Sequence, residues 1–557
     1  MRAASFANPI IPGFNPDPSI VRVNHDYFLV TSSFEYFPGA PIYHSTDLAQ
    51  WKLIGHALTR TSQIQIQTPE PGGGVWATTL RFHNGTFYIV AASFEHYRPQ
   101  EDDRVWPLGF YVKTDNIWDS DSWSEPVYFD QVGFDQDLFW DDDGAVYLSC
   151  TRRKLHRTPG ANLKDFAIHI CTVNLETGAS TSKARLIRDS TSAVSEGSHI
   201  FRRGKYYYLF TAEGGTESGH SECVCRSDQS PFGPWEPGPN NPLCHNGGQD
   251  DVQNVGHADL VEDEQGNWWA VLLAVRPVRK SEDKWESSVF GRETFLVSVD
   301  WVDDWPVFNQ GRKICLEATS QKLVKHNDSV VWTDRFSAPK LELGWYRKNT
   351  PRKQDFSLTE KPGYLRLYGA PYRLCDPACP TMFLRKQTHR SCKWETRLSF
   401  LPSTAYTEAG TVVWMDYFTH CSIGIRLKHP ANNQTADDIT YKDSHLQRII
   451  RFSPPAGSGS DIVEWQLTSF HSDVILQVEC GSKYRFGFRE FSDKSESCDK
   501  DQDQTIWVGE VANEVMTRPP PIGAQFTGVM LGLYALGEYH PCSTPADFHH
   551  VHFTNYG

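Results

Sequence analysis

Five residues of chemically useful types fall at a near-constant interval along the chain: Asp17, Trp76, Asp135, Glu196 and His257. The steps between them are 59, 59, 61 and 61. Carboxylates and an imidazole can exchange protons with a substrate or with water. An indole offers a flat apolar face on which a ligand can lie. Chance rarely sets such types in one phase, so the five read as the core of one acid–base site. Asp17 stands between Pro16 and Pro18, which predict a stiff, extended backbone around its carboxylate.

The elements that must position these residues are hairpins. Each of the five leads a short apolar strand into a polar turn and then an aromatic strand. The later turns are His83-Asn84-Gly85, Asp142-Asp143-Gly144, Arg203-Gly204 and Gln265-Gly266. A fixed period of this size marks a repeat architecture. One period has room for four short strands, the content of a propeller blade. Ser45-Thr46-Asp47-Leu48 before Trp51 is echoed by Thr114-Asp115 before Trp123 and by Ser227-Asp228 before Trp235, which supports the repeat independently. The reading is an all-β chain: a five-bladed β-propeller over residues 1–315, with the leading strand of each blade lining the channel. The pattern stops after Asn309. A linker is expected at 316–330 and a concanavalin-type β-sandwich at 331–557, where strand patterns alternate with long polar loops.

Length and composition bound the function. The chain has 557 residues, enough for two or more domains. Its net charge of -14 carries no nucleic-acid footprint, which would be basic and clustered. Aromatic residues make up 13%, in keeping with β-structure and with surfaces that stack sugars. No stretch is long and apolar enough to span a membrane, and Met1–Ala7 lacks a secretory core, so a cytoplasmic location is expected unless a signal has been removed. The 13 cysteines are odd in number and scattered, which favours reduced thiols, with Cys375 and Cys379 close enough in sequence to pair. Asp141-Asp142-Asp143-Gly144 lacks the spacing of a calcium loop and reads as a turn. In His549-His550-Val551-His552, strand alternation would put only two imidazoles on one face.

These motifs as a set resemble glycoside hydrolase family 43, the β-xylosidase and α-L-arabinofuranosidase family. The resemblance rests on Asn15-Pro16-Asp17-Pro18-Ser19, Ser33-Phe34-Glu35-Tyr36-Phe37-Pro38-Gly39, Phe134-Asp135, Ser195-Glu196-Gly197, Ala212-Glu213-Gly214-Gly215-Thr216, Gly256-His257-Ala258-Asp259 and Gly291-Arg292-Glu293. They run in family order from about residue 8 to 302, and similarity continues beyond residue 330 into the family's accessory domain. Ala77-Thr78-Thr79 and Gln136-Asp137 depart from the commoner family patterns without removing a catalytic group.

Glycosidic cleavage needs an acid for the departing oxygen and a carboxylate across the sugar ring. Asp17 suits the general base that activates water, and Glu196, with its longer arm, the general acid. Asp135 would orient Glu196 and raise its pKa by like-charge repulsion. The resemblance implies the same roles. It also implies that Thr216, His257 and Arg292 line the pocket of the terminal sugar, and that Phe526 helps to close it. Phe34 and Trp76, each near the expected inner end of a strand, are candidate apolar walls on which the C–H face of a sugar can pack. It implies no required cofactor, but allows a structural calcium near the propeller axis, reached by His257 through water.

The expected activity is an exo-acting, inverting release of terminal β-D-xylose from xylooligosaccharides. Removal of α-L-arabinofuranose from arabinoxylan stands beside it, and a homo-oligomer is left open. A retaining fructan hydrolase would share the architecture, but its Arg-Asp-Pro is absent and Glu222-Cys223 lies off the catalytic phase. A non-catalytic sugar-binding propeller would not need three carboxylates.

Overall fold

Aromatic and β-branched runs broken by Asn-Gly, Asp-Gly and Pro-rich turns specify short strands. The computed structural model is built almost wholly of them. It describes residues 4–94, 107–154, 165–190, 194–282, 284–320, 330–378, 380–428, 446–491, 504–540, 542 and 544–556. The chain divides into two compact units, residues 1–326 and 327–557.

The first unit holds five four-stranded antiparallel sheets. Sheet 1 comprises Ser19–Val23, Asp26–Val30, Gly39–Ser45 and Lys52–Leu58. Sheet 2 comprises Gly74–His83, Thr86–Phe94, Leu108–Thr114 and Val127–Val132. Sheet 3 comprises Phe134–Trp140, Val146–Arg153, Phe166–Thr172 and Arg185–Arg188. Sheet 4 comprises Ser195–Arg203, Tyr206–Glu213, Ser221–Ser227 and Glu236–Pro237. Sheet 5 comprises Gln253–Glu262, Trp268–Val275, Glu293–Val302 and Trp305–Phe308, with a small hairpin, Val278–Ser281 and Lys284–Glu286, inserted before its third strand.

The leading strand of each sheet touches that of the next, and the leading strand of sheet 5 touches that of sheet 1. Each junction has its own apolar filling. Phe28, Ile42, Leu80 and Phe110 join sheets 1 and 2. Tyr111, Leu138 and Leu148 join 2 and 3, and Ile170, Ile200 and Leu209 join 3 and 4. Phe210, Leu260 and Phe295 join 4 and 5, and Ile20, Leu29, Val271 and Leu296 join 5 and 1. Each such side chain contributes roughly 1.5–3 kcal/mol when fully buried.

The two ends of the unit meet. Strand Ala4–Ala7 pairs antiparallel with Glu317–Ser320, so four residues of the expected linker at 316–330 form a strand. Residues 321–329 lie outside the described residues.

The second unit has an eight-stranded and a six-stranded sheet. Their facing sides share buried Trp394, Phe452 and Phe486, and the Trp394 indole donates to Thr411 Oγ1 across the sheets at 2.9 Å. In strand Ala546–Asn555 the expected alternation of histidines is broken. The ladder slips at His549, whose Nδ1 lies 3.0 Å from His550 Nδ1, while His552 Nδ1 bonds Thr333 Oγ1 at 2.7 Å. The described cysteines are free thiols, Cys223 and Cys225 among them, and Cys379 lies outside the described residues. The run Asp141–Gly144 is a turn, closed by Gly144 N–H donating to the Asp141 carbonyl at 3.0 Å. No helix among the described residues is long and apolar enough to cross a membrane.

Candidate active site

The leading segments of all five sheets share one irregularity. Asp17, Ala77, Asp135, Gly197 and His257 have φ of 53°, 42°, 53°, 59° and 55°, in the left-handed region. In sheets 2 to 5 the ladder slips at this point, between residues 76 and 79, 134 and 137, 196 and 199, and 256 and 259. A bulge re-aims the side chains around it and ends regular pairing. Non-glycine residues held there cost roughly 1–3 kcal/mol each, and such strain collects at functional sites.

The extended backbone expected for Asp17 is therefore incorrect. The flanking prolines stiffen the segment, but long-range bonds set its conformation. Asn15 N–H donates to the Arg292 carbonyl at 2.9 Å, Thr294 Oγ1 donates to the Asn15 carbonyl at 2.6 Å, and Gly13 N–H donates to Glu293 Oε1 at 2.8 Å. The lead-in is stitched to the third strand of sheet 5. Glycine is required at two close approaches nearby. A Cβ on Gly197 would lie 2.8 Å from the His257 ring, and one on Gly74 would lie 2.1 Å from the Phe34 carbonyl oxygen.

The structure brings Asp17, His257, Arg292 and Thr216 together. Asp17 Oδ1 is 3.2 Å from His257 Nδ1 and accepts from Arg292 Nη1 at 3.3 Å. Its Oδ2 accepts from Ser32 Oγ at 2.6 Å. The same Ser32 oxygen accepts the Ala77 N–H at 2.7 Å. Arg292 Nη1 also donates to Thr216 Oγ1 at 3.0 Å, and its guanidinium lies over the Phe34 ring, 5.4 Å from the centroid. Burial opposes ionisation of Asp17. The Arg292 charge, the bond and charge of His257 and the Ser32 bond outweigh it, and hold the carboxyl well below the usual carboxylate range.

Glu196 behaves oppositely. The residue is half-buried. Burial is the larger influence, the charges of Asp135 and Asp17 add to it, and the carboxyl is pushed up to about 8. The repulsion expected from Asp135 is thus the second cause, behind burial. Asp135 Oδ2 accepts the Gly197 N–H at 2.8 Å, so it holds the backbone beside Glu196. Asp135 is itself raised, by burial and by Asp17, against the pull of His257. Burial lowers His257, but its bond to Asp17 and the charges of Asp135 and Asp17 lift it to about 9.

Of the two pocket aromatics, Phe34 departs from the expected strand end, while Trp76 lies near the start of strand Gly74–His83. Phe34 is in no strand of sheet 1 but in the following connection, bridged to Val75, at φ 49°. Only 2% of its surface is exposed. Trp76 is half-buried, donates its indole N–H to the Gly72 carbonyl at 2.7 Å and packs on Phe94 and Phe134. Phe526 is half-buried in the second unit, ahead of strand Met530–Leu536.

Sequence reasoning missed Ser32 and Glu222. No spacing signal marks Ser32. Glu222 was set aside as out of phase, yet its Oε2 accepts the Ala258 N–H at 3.0 Å, directly behind His257. It is fully buried, and burial pushes it up to about 8 from an ordinary 4.5. The folded state therefore keeps a proton that the unfolded chain releases between those values. Stability from this group is lost as pH rises across that window. Glu222→Gln is expected to flatten the fall of Tm between about pH 5.5 and 8.5. Thermal unfolding at both values checks it, and an unchanged slope would remove Glu222 as a cause.

The residues present do not fit a directly bound calcium. His257 Nδ1 is turned to Asp17, and the neighbouring carboxylates Asp137 and Asp259 are both bonded to Arg81, at 2.8 Å each. Among the described residues no group of three or more His, Cys, Asp or Glu side chains is set to hold a metal.

On this all-β scaffold Asp17 is held low by its donors, and Glu196 is raised by burial and by the Asp135 charge, which is the base and acid pair that glycosidic cleavage needs. The chain belongs to the glycosyl hydrolases family 43, whose sequence model matches residues 6–306, and residues 333–554 match the beta xylosidase C-terminal concanavalin A-like domain. It is 35% identical to a non-reducing end alpha-L-arabinofuranosidase of Bacteroides ovatus, over 98% of this chain and 94% of that protein. It is 34% identical to a xylan 1,3-beta-xylosidase of a Vibrio species, over 78% and 79%. The solved structure of a xylan beta-1,4-xylosidase from Bacillus halodurans matches with a TM-score of 0.85 at 28% identity, covering 99% of this chain and all of that one.

Proposed function

We propose that the protein is an exo-acting, inverting glycosidase that removes terminal β-D-xylose from xylooligosaccharides. The observation that carries this reading is the contrast in surroundings: Asp17 is bonded by His257, Arg292 and Ser32, whereas Glu196 sits beside a peptide held by a second carboxylate, Asp135. Asp17 is the general base: ionised, fixed by three donors, and able to take a proton from water. Glu196 is the general acid, still protonated near neutral pH. Asp135 orients the segment of Glu196 and raises its pKa. His257 and Arg292 fix Asp17 and offer donors to sugar hydroxyls, Thr216 holds Arg292, and Phe34 and Trp76 are apolar walls.

The five sheets are read as blades of a propeller, supported by the cyclic contact of leading strands and by an apolar cluster at each of five junctions. A second activity, release of α-L-arabinofuranose from arabinoxylan, is favoured by the named activity of the Bacteroides ovatus relative.

Inversion requires room for a water between acid and base, roughly 6.5–9.5 Å between carboxyls. The expected result is that NMR of the first-formed sugar shows the inverted anomer. kcat/KM on matched aryl β-xylopyranosides and α-L-arabinofuranosides ranks the two substrates. A retained anomer would make Asp17 a nucleophile and reject the mechanism.

A further inference from the structure

A second polar cluster follows the catalytic positions along the leading strands. It takes one or more residues from each sheet: Ser19, Arg81, Asp137, His199 and Asp259. Arg81 is its hub. Nε contacts Asp137 Oδ1 at 2.8 Å, Nη1 contacts Asp259 Oδ2 at 2.8 Å, and Nη2 donates to His199 Nδ1 at 2.9 Å. Nη1 also donates to the Leu80 carbonyl at 2.9 Å and reaches Ser19 Oγ at 3.4 Å.

The two carboxylates carry the tie into the backbone. Asp259 Oδ2 accepts from Ser19 Oγ at 2.5 Å and from Ile20 N–H at 3.1 Å. Asp137 Oδ2 accepts from Ile200 N–H at 3.1 Å. One guanidinium thus links all five sheets. Asp137 lies two residues after Asp135, and Asp259 two after His257, so the links reach the acid–base residues through a single intervening residue on each side.

Two carboxylates with 1% and 0% side-chain exposure need a cation beside them. Calcium would supply one by binding from solution. A guanidinium is charged at every working pH, presents a planar fork of donors, and is covalently attached, so its occupancy does not depend on free metal.

We propose that Arg81 is the built-in cation of this channel: it neutralises Asp137 and Asp259, braces the five leading strands, and makes the enzyme independent of divalent metal. Arg81 is a positioning residue, acting through those two aspartates. Only the activity arm of the following test rests on the glycosidase reading. The binding and unfolding arms stand without it.

Wild-type protein is stripped with chelator, and calcium is returned at millimolar concentration. Expected are an unchanged Tm, no calcium heat by titration calorimetry, and kcat/KM on an aryl xyloside constant within about twofold. Arg81→Met keeps an apolar stem but leaves the carboxylates without their cation. Its kcat is expected to fall by about tenfold or more with KM changed less, and its Tm to drop. Calcium should now bind and raise both. The way in is at hand, because Arg81 lines a cavity of about 420 Å³ together with Arg22, Phe139 and Trp268. Arg81→Lys, which retains the charge without the fork, should fall between the two and respond less to calcium.

Calcium binding to the wild type, or loss of its activity on chelation with recovery on calcium, would overturn the proposal. So would an Arg81→Met protein with wild-type kcat and no calcium response. If Arg81→Met does not fold, the wild-type arm and Arg81→Lys decide. Wild-type protein inactive on every aryl glycoside would reject the glycosidase reading alone, leaving calorimetry and Tm to judge Arg81.

Discussion

Glu196→Gln is expected to lower kcat on xylobiose by about 10²–10⁴-fold while leaving measurable turnover of an aryl xyloside with an acidic phenol. A sugar alcohol is too basic to depart without a proton, whereas an acidic phenol leaves as its anion. The need for Glu196 therefore shrinks as the leaving group improves. Asp17→Asn should lower both substrates alike, because each needs the activated water. It also strips His257 and Arg292 of their common carboxylate partner. The measurement is the ratio of kcat/KM on the two substrates for each variant. Equal losses for Glu196→Gln, with the activated substrate spared by Asp17→Asn, would exchange the two roles.

Asp135→Asn is expected to move the alkaline limb of the pH–rate profile to lower pH. Activity needs Asp17 ionised and Glu196 protonated. In the wild type kcat/KM should hold at neutral pH and fall as pH rises through about 8, where Glu196 loses its proton. The acid limb lies below the ordinary 3.8 of an aspartate, because Asp17 is held down. Removing the Asp135 charge removes the second cause of the Glu196 shift and leaves burial, the first. Ionised Glu196 becomes easier to form, and the limb should drop by about one unit without reaching 4.5. The loss of rate will then be greater at pH 8 than at pH 6. A limb that stays in place, or moves up, would exclude charge repulsion by Asp135 as its setting.

Local chemistry explains which features were legible in the sequence. Turns such as Asn84-Gly85 and Asp143-Gly144 carry their own conformational signal, and they aligned the repeat that placed Asp17, Asp135, Glu196 and His257 in one phase. Ser32, Arg81 and Glu222 act through contacts with residues 15 to 178 positions away, for which no local pattern exists. Asp17 shows the limit most clearly. Two prolines argued for extension, yet bonds to Arg292 and Thr294 hold its segment, and the residue turns left-handed. The strand at Glu317–Ser320 escaped notice for the same reason, since its partner lies at the opposite end of the unit.

That terminal strand pair also has a mechanical consequence. Ala4 pairs with Ser320 and Ala7 with Glu317, so both chain ends leave the clasp at the same edge. Tension between the ends of the first unit would load the Ala4–Ser320 pair first and peel the rungs in sequence, as a zipper opens, instead of shearing them together. Strain entering along the chain is therefore spent on the clasp before it reaches the stitch at Asn8, where the side chain bonds the Leu296 carbonyl, and before it can disturb the carboxylate that follows at Asp17.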